Sequence, residues 1–185
     1  MKKDEQEILE ALKRGDETVF NDFVRRYQKE VYMLALRLTG DKDEALDISQ
    51  KVFIKAYKSI VNFRGESSIS TWLYRITYNA SLRYLNSLRV KKFFSFGKDD
   101  FEEFMGGDSN NDTSRNEFWE NLHRALNKMP PQQKAVFTFR QIEGLKISET
   151  AEIMGLKEGT IKALHFHAVR KLREELKEWQ YTNFS

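Results

Sequence analysis

Polar, basic and aromatic side chains recur at helical spacing near the end of the chain. Glu158, Gly159 and Thr160 open a predicted helix. Its inner side is apolar and consists of Ile161, Leu164, Ala168 and Leu172. Its outer side consists of Thr160, Lys162, Ala163, Phe166, His167 and Arg170. A helix with a small N-terminal turn and a basic flank fits the DNA major groove. We therefore predict a DNA-reading helix, the alternative being a helical hairpin with a solvated basic face.

A second group of such residues lies in the sequence NFRGESSIS, just before a predicted helix. Phe63 and Trp72 offer flat aromatic faces, and Arg64, Ser67 and Ser68 offer hydrogen-bond donors. This combination is suited to holding unstacked bases of single-stranded DNA. For Trp72 alone, the other interpretation is a position in the core of a helical domain.

The helix that follows, predicted from Thr71 to about Val90, lies in a stretch with no acidic residue between Ser67 and Lys92. One side of this helix is polar and basic at helical spacing, with Arg75, Asn79, Arg83 and Asn86. Carboxylates in such a stretch would repel a polyanion, so their absence predicts a nucleic-acid surface. Further upstream, Asp47, Gln50, Lys51 and Ile54 form a mixed stripe on a helix predicted from Asp43 to Lys58. This stripe is either solvated surface or a docking surface for a protein.

Several classes of chemistry are not supported by the sequence. The chain has no cysteine, which excludes disulfides and thiolate catalysis. His165 and His167 point to different sides of one helix, and His123 has no acidic cluster at metal-ligand spacing. Phosphate-binding loops and a G-x-S-x-G elbow are also absent, so no enzyme, metal or cofactor is expected. The longest apolar run, Val31 to Leu36, is too short to cross a membrane, and no signal peptide is recognisable. We expect a cytoplasmic protein.

Charge and periodicity divide the 185 residues into three parts. Residues 1–92 hold 18 Lys and Arg against 13 Asp and Glu, and residues 115–185 hold 12 against nine. Between them, residues 93–114 hold one basic and six acidic residues, with five Phe and no sustained period. We predict an all-α protein of two small helical domains joined by a flexible acidic linker. The linker either occupies a positively charged channel meant for nucleic acid or is solvated.

Apolar spacing and turn residues predict the individual helices. The N-terminal domain has helices from Asp4 to Lys13 and from Glu17 to Leu38, and Asp43 is the expected cap of the next one. In the C-terminal domain, Ser114 caps a helix and two prolines, Pro130 and Pro131, begin another. A short helix with Ile147, Ala151 and Met154 on one side then turns at Gly155 into the DNA-reading helix. The last two helices form a helix-turn-helix.

The chain resembles the extracytoplasmic-function (ECF) group of bacterial RNA polymerase sigma factors over nearly its whole length. Three segments carry the resemblance in the family's order: DEALDISQKVFIKAY, FRGESSISTWLYRITYNA and GLKISETAEIMGLKEGTIKA. The resemblance implies binding to core RNA polymerase and to promoter DNA, as duplex and as unstacked non-template strand. Family members are often inhibited by an anti-sigma factor, so such a partner is a further expectation.

Site residues follow from the same resemblance. The docking segment of the family places polymerase contacts at Asp47, Gln50 and Phe53, beside Lys51 and Ile54. Capture of the minus-ten promoter element falls to seven residues: Phe63, Arg64, Ser67, Ser68, Arg75, Asn79 and Arg83. Reading of the minus-thirty-five element falls to the outer side of the last helix, with Lys162 and His167 as its principal residues.

This chain departs from the family pattern at several of these positions. Lys51 stands where an acid usually follows the docking Gln, and Ser49 replaces an aliphatic residue. The run KALHFH follows Gly-Thr-Ile where a Ser-Arg pair and a later Arg are common, and His165 replaces an apolar inner residue. The promoter sequence therefore cannot be carried over from the family. Two rival functions remain: a stand-alone helix-turn-helix regulator that binds its operator as a dimer, and an interaction protein that sequesters a partner without reading DNA.

Overall fold

The computed structural model describes residues 3–94 and 121–183, whose regular structure is helical throughout. The chain divides into two compact units, Met1–Phe94 and Ser95–Ser185. Apart from Phe93 and Phe94, which end the last helix of the first unit, the predicted linker over 93–114 lies outside the described residues. Among the described helices, none is long and apolar enough to cross a membrane.

The first unit is a helical bundle in which α2, α3 and α4 pack on one another and α1 packs on α2. Its helices are α1 (Lys3–Lys13), α2 (Glu17–Thr39), α3 (Lys42–Ser59) and α4 (Ile69–Phe94), with a 3₁₀ turn at Ile60–Asn62. Val31, Leu34 and Ala35 of α2 are fully buried, as are Ala45 of α3 and Leu73 of α4. Burial of these aliphatic faces is the main stabilising contribution to the unit.

Capping residues decide where these helices begin. Asp16 accepts hydrogen bonds from the backbone N–H groups of Thr18 and Val19, both at 3.0 Å, and so fixes the start of α2. Gly40 ends α2 with a positive φ of 79°. The chain then enters α3 through Asp41, whose carboxylate accepts from the Glu44 N–H at 2.9 Å. The predicted cap, Asp43, is therefore wrong, because it already lies in the first turn of α3.

Helix α4 begins at Ile69, two residues before the predicted start at Thr71. The cause is Ser68, whose hydroxyl accepts from the backbone N–H of Thr71 at 3.1 Å while its carbonyl accepts from that of Trp72 at 3.0 Å. Ser68 is thus the N-cap of the helix. The hydrogen bonds from the first turn of α4 to Ser68 therefore fix the end of the serine-rich loop.

The second unit contains the predicted helix-turn-helix. Its described helices are α5 (described over 121–127), α6 (Pro131–Phe137), α7 (Ile147–Met154) and α8 (Glu158–Asn183), with a π-helical turn at Thr138–Ile142. Gly155 has a φ of 65°, and this left-handed conformation turns the chain from α7 towards α8. Phe139, Ile153 and Ile161 are buried, which fixes α7 and α8 on the turn after α6.

Candidate nucleic-acid interface

One side of α8 is exposed along about three turns, and we call it the reading face. It consists of the six predicted residues Thr160, Lys162, Ala163, Phe166, His167 and Arg170, all of which are exposed. On the opposite side Ile161, Ala168 and Leu172 are buried and Leu164 is partly buried. The predicted division of the helix into an inner and an outer side is confirmed. A solvent-exposed helix surface of this length can enter a major groove.

His165 lies between the two sides of α8 and is partly buried. Its Nε2 lies 2.9 Å from the side-chain amide nitrogen of Gln141, in the turn after α6. Because an amide nitrogen only donates, the imidazole accepts here, which requires an unprotonated Nε2. Burial and the nearby Arg140 charge lower the pKa of His165, in agreement with a neutral ring. His165 stands where family members usually have an apolar residue. Here its hydrogen bond to Gln141 holds α8 against the turn after α6.

Phe166 and His167 have adjacent rings on the reading face. The Phe166 side chain is 63% exposed, and its ring meets that of His167 edge to face with centroids 5.6 Å apart. Arg170 extends towards Glu174 in the following turn, with Nε and Oε1 3.8 Å apart at an exposed position. A pair of this kind is weak in water and leaves the guanidinium available to phosphate.

The loop before α4 differs from the prediction at its aromatic residue. Phe63 is only 7% exposed, and its ring packs on that of Trp72 at 5.1 Å between centroids. Phe63 therefore belongs to the core and offers no open face to a base. Trp72 is partly buried against the same core, which was the alternative interpretation of that residue.

The polar residues of this loop have unequal surroundings. Arg64 is exposed and lies near Glu66, with 3.8 Å between Nη1 and Oε1. Ser67 is partly buried, and the exposed Ser68 is occupied as the cap of α4. The Ser68 hydroxyl also lies 2.8 Å from the Thr71 hydroxyl. Arg64 is thus the residue of this loop with the most reach into solvent.

Helix α4 presents Arg75, Asn79 and Arg83 on one exposed side, as predicted from their spacing. The Asn79 amide donates to the Arg75 carbonyl at 2.8 Å, and Arg83 Nε donates to the Asn79 carbonyl at 3.2 Å. The second bond holds the Arg83 guanidinium along the helix. Arg75 and Arg83 are eight residues apart, which corresponds to about 12 Å of helix rise at 1.5 Å per residue. This side of α4 is a basic surface fit for a phosphate backbone.

The predicted docking stripe on α3 is only partly exposed. Gln50, Lys51 and Ile54 face solvent, and Asp47 is partly buried and forms an ion pair with Lys51. The hydrogen bond and charge of Asp47 raise the pKa of Lys51. Phe53 is 9% exposed and packs edge-on against Phe23 with centroids 6.2 Å apart. Its ring is therefore a core contact and not an exposed docking residue.

The predicted stripe included Ile54 but not the exposed apolar residues Leu46, Tyr57 and Val61 near it. Leu46 is 54% exposed and Ile54 is 56% exposed, and Tyr57 and Val61 are also exposed. Leu46, Ile54 and Tyr57 are eight and three residues apart, a helical spacing that could have shown them on one side of α3. With Gln50 they form a mixed surface of the sort that binds other proteins.

A metal centre is not formed by the described side chains. Within residues 3–94 and 121–183, no group of three His, Asp or Glu residues is placed to hold a metal ion. The arrangement is instead suited to binding, with a basic surface on α4, an exposed reading face on α8 and a mixed surface with apolar residues on α3.

Comparison with known proteins places both units in one family. Residues 23–90 match the model for sigma-70 region 2, and residues 119–172 match that for sigma-70 region 4. The RNA polymerase sigma-H factor of Pseudomonas aeruginosa is 32% identical, with 89% of each chain covered. The ECF RNA polymerase sigma-E factor of Haemophilus influenzae is also 32% identical, covering 93% of this chain and 95% of the relative.

Solved structures agree with the fold. CnrH, solved in complex with the cytosolic domain of CnrY, superposes with a TM-score of 0.68 at 18% identity, covering 94% of this chain and 97% of CnrH. The sigma factor RpoE of Bartonella quintana, solved in complex with the anti-sigma factor NepR, superposes with a TM-score of 0.67 at 22% identity. This second match covers 85% of this chain and 96% of the other. With sequence relatives matched over almost their entire length, the chain belongs to the ECF group of RNA polymerase sigma factors.

Proposed function

We propose that this chain binds core RNA polymerase, recognises promoter DNA and assists strand opening at the start of transcription. The observation that carries the proposal is the order of the two regions, with a basic α4 in the first and an exposed reading face on α8 in the second. Its role is binding rather than catalysis, in the cytoplasm and without a cofactor.

The three parts of the chain have separate tasks in this proposal. Residues 1–92 bind the polymerase and the minus-ten element, and residues 115–185 bind the minus-thirty-five element. Residues 93–114 connect the two. Because their net charge is negative, DNA phosphates repel this segment and are left to the basic residues of the two domains. Lys and Arg of both units bind phosphates and set the register, a salt-dependent contribution without sequence information.

Docking on polymerase falls to the exposed part of the α3 stripe. Gln50 supplies an amide, and Ile54 with Leu46 supplies apolar area that binding would remove from water. Asp47 is already paired with Lys51, so its carboxylate contributes less than the motif suggests. Phe53 supports this surface from below by packing on Phe23.

Strand opening falls to α4 and to the loop before it. Arg75, Asn79 and Arg83 hold the backbone, while Arg64 and Ser67 contact unstacked bases. Flipping a base costs a few kcal/mol, and binding of the exposed strand offsets this cost once polymerase holds the complex together. Nucleotide hydrolysis is not needed for this step.

The test is a promoter-opening assay with polymerase reconstituted from core enzyme and this chain. We expect Arg64→Ala with Ser67→Ala to slow opening while binding of the closed duplex is retained. Ser68→Ala serves as a structural control, because loss of the α4 cap lowers stability by about 1 kcal/mol. Unaltered opening by the double variant contradicts the assignment of Arg64 and Ser67.

Regulation by a protein partner is the next part of the proposal. CnrH and RpoE, which share the fold, were solved in complexes with CnrY and with the anti-sigma factor NepR respectively. We propose that an anti-sigma protein binds this chain and blocks its docking or DNA surfaces. Affinity purification from the native host, followed by competition with core polymerase, tests this. A partner that binds without displacing polymerase or DNA contradicts it.

The rival functions predict different behaviour in one experiment. A stand-alone regulator protects operator DNA from nuclease without polymerase, and a sequestering protein binds DNA under neither condition. We expect this chain to protect promoter DNA only when core polymerase is present.

A further inference from the structure

The centre of the reading face is apolar. Ala163 and Phe166 lie three residues apart on α8 and are both exposed. At 63%, Phe166 is the most exposed large apolar side chain within residues 6–90 and 121–176. Isolated exposed apolar residues are ordinary, but this one lies in the middle of a face that is otherwise polar and basic. Its position calls for a ligand with an apolar group at the matching place.

The polar residues stand on either side of this centre. Thr160 and Lys162 precede Ala163, and His167 and Arg170 follow Phe166. From Thr160 to His167 the helix rises roughly 10 Å, which is about three base-pair steps of 3.4 Å. Ala163 and Phe166 therefore face the middle of a short run of base pairs, with hydrogen-bonding side chains at its two ends.

Helix α8 cannot easily turn this centre away from DNA. Ile161 and Ala168 are fully buried on the opposite side, and His165 bonds to Gln141 at 2.9 Å. The two histidines that flank Phe166 thus diverge, one fixed against the turn after α6 and the other beside the Phe166 ring on the reading face. The aromatic ring keeps its outward direction.

The side chains of Ala163 and Phe166 limit which feature of a base pair this centre can recognise. Ala and Phe have no side-chain donor or acceptor, so they cannot read the hydrogen-bond pattern of a base pair. Among the features that base pairs present in the major groove, the apolar one is the C5-methyl group of thymine. We propose that Ala163 and Phe166 recognise the 5-methyl group of a thymine at the centre of the minus-thirty-five element. This inference rests on the proposed function of α8 and adds the base that it selects.

The experiment uses the full chain with core RNA polymerase and synthetic promoter duplexes. A library randomised over the minus-thirty-five region is selected for binding, and we expect thymine on either strand to be enriched at a central position. That thymine is then replaced by uracil, which lacks only the methyl group. Loss of one buried methyl group predicts about fourfold weaker binding, from about 0.8 kcal/mol. In a second pair of duplexes, a cytosine–guanine pair replaces the thymine–adenine pair at this position. The duplex that carries 5-methylcytosine should bind more tightly than the one that carries cytosine, by a similar factor.

Variants of α8 assign this preference to a side chain. Phe166→Ala should lower the preference for thymine over uracil well below fourfold, because the Phe166 ring that contacts the methyl group is gone and only Ala163 remains. Phe166 is exposed, so this change does not disturb the core. Lys162→Ala is the matched control on the same face, and it should weaken binding to both duplexes while keeping their ratio.

The outcomes separate this inference from the function on which it rests. If the wild-type complex binds the selected duplex but treats thymine and uracil alike, the methyl inference is overturned and the proposed function stands. The same holds if Phe166→Ala keeps the fourfold ratio, or if selection enriches no central thymine. If the complex binds no promoter duplex at all, both are overturned.

Discussion

Neighbouring side chains on the docking stripe of α3 have different surroundings. Gln50 and Ile54 face solvent, whereas Phe53 closes the contact with Phe23 of α2. A substitution of Phe53 therefore changes the stability of the fold, whereas a substitution of Gln50 or Ile54 changes binding to a partner. Both would lower the activity of a sigma factor, so only a stability measurement tells them apart.

We expect Phe53→Ala to lower the free energy of unfolding by about 3 kcal/mol, because it leaves a cavity in the core of the first unit. Ile54→Asp should change that free energy by less than about 0.5 kcal/mol, as is usual for an exposed site. It should instead weaken binding to core polymerase by about tenfold, because it places a carboxylate on an apolar contact surface. Urea unfolding and polymerase binding measured on both variants check this. Equal loss of stability in the two would contradict our placing of Phe53 and Ile54.

Helices α3 and α4 are joined by one carboxylate. One oxygen of Asp41 caps α3 by accepting from Glu44 N–H, and the other accepts from the Tyr84 hydroxyl at 3.2 Å. Burial, followed by the Asp41 charge, raises the pKa of Tyr84 to about 12. Asp41 thus links the start of one helix to the middle of the other.

Tyr84→Phe should lower the free energy of unfolding by about 1 kcal/mol, through loss of one hydrogen bond. Asp41→Ala should lower the free energy of unfolding further, by about 2 kcal/mol, because the cap of α3 is lost together with the hydrogen bond to Tyr84. In the double variant the two losses should be less than additive, because the same hydrogen bond is removed twice. Thermal or urea unfolding of the three variants measures this. Strict additivity would mean that Asp41 and Tyr84 do not interact.

Helix α6 buries a lysine against α5. Lys134 is only 5% exposed, and its ammonium group donates to the Asn127 side-chain oxygen at 2.7 Å. The Asn127 nitrogen lies 3.3 Å from Nδ1 of His123. Burial lowers the pKa of Lys134 to about 8, and burial together with the Lys134 charge lowers the pKa of His123. Folding therefore favours the neutral form of both groups.

The sign of the pH effect follows from the lowered Lys134 pKa. Below about pH 8 the lysine is charged in both the folded and the unfolded state, so folding carries the full cost of burying the charge. Between about pH 8 and the unfolded value of 10.5 the folded state loses its proton first, and stability rises. Lys134→Met should stabilise the second unit by about 1–2 kcal/mol at pH 7, after the lost hydrogen bond is subtracted, and should remove this rise.

The measurement is urea unfolding between pH 7 and pH 10, read as the difference between wild type and variant. The difference should shrink as pH rises, because the wild type gains stability that the variant already has. Lys157→Met, at an exposed position, serves as the control and should show no such trend. A difference that stays constant with pH would show that Lys134 is not desolvated.

At the scale of the whole molecule, two basic units are connected by an acidic segment. Residues 1–92 and 115–185 each carry an excess of basic residues, and residues 93–114 carry six acids against one base. Two weak DNA contacts on one chain bind more tightly than either alone, because the second contact is made at a high effective concentration. The length of the connecting segment should then matter only modestly.

Doubling the length of this segment with Gly and Ser residues should weaken promoter binding of the reconstituted polymerase by about threefold, the −3/2 power of length. The control replaces 93–114 by a Gly-Ser segment of the original length. Competition binding to one promoter duplex compares the three chains. A much larger loss in the equal-length control would show that the Phe and acidic residues of 93–114 make contacts of their own.

Much of this organisation follows from the sequence by itself. Apolar spacing in α2 and α8, turn residues at Gly40 and Gly155, and the acid-free stretch before Lys92 are local patterns. Helix period and left-handed turns depend on neighbouring residues, so they can be read without a structure. The same patterns placed all six residues of the reading face on the outside of α8.

Only the tertiary structure decided which side chains of the motifs are available. Phe53 and Phe63 stand in segments that resemble binding motifs, but Phe23 and Trp72 cover their rings in the folded core. Asp41, which caps α3 in place of Asp43, also binds the distant Tyr84 hydroxyl, and His165 packs inward against Gln141. The physical reason is that burial depends on contacts between residues distant in sequence. A spacing pattern gives the side of a helix, and the packing of the other helices determines whether that side meets water.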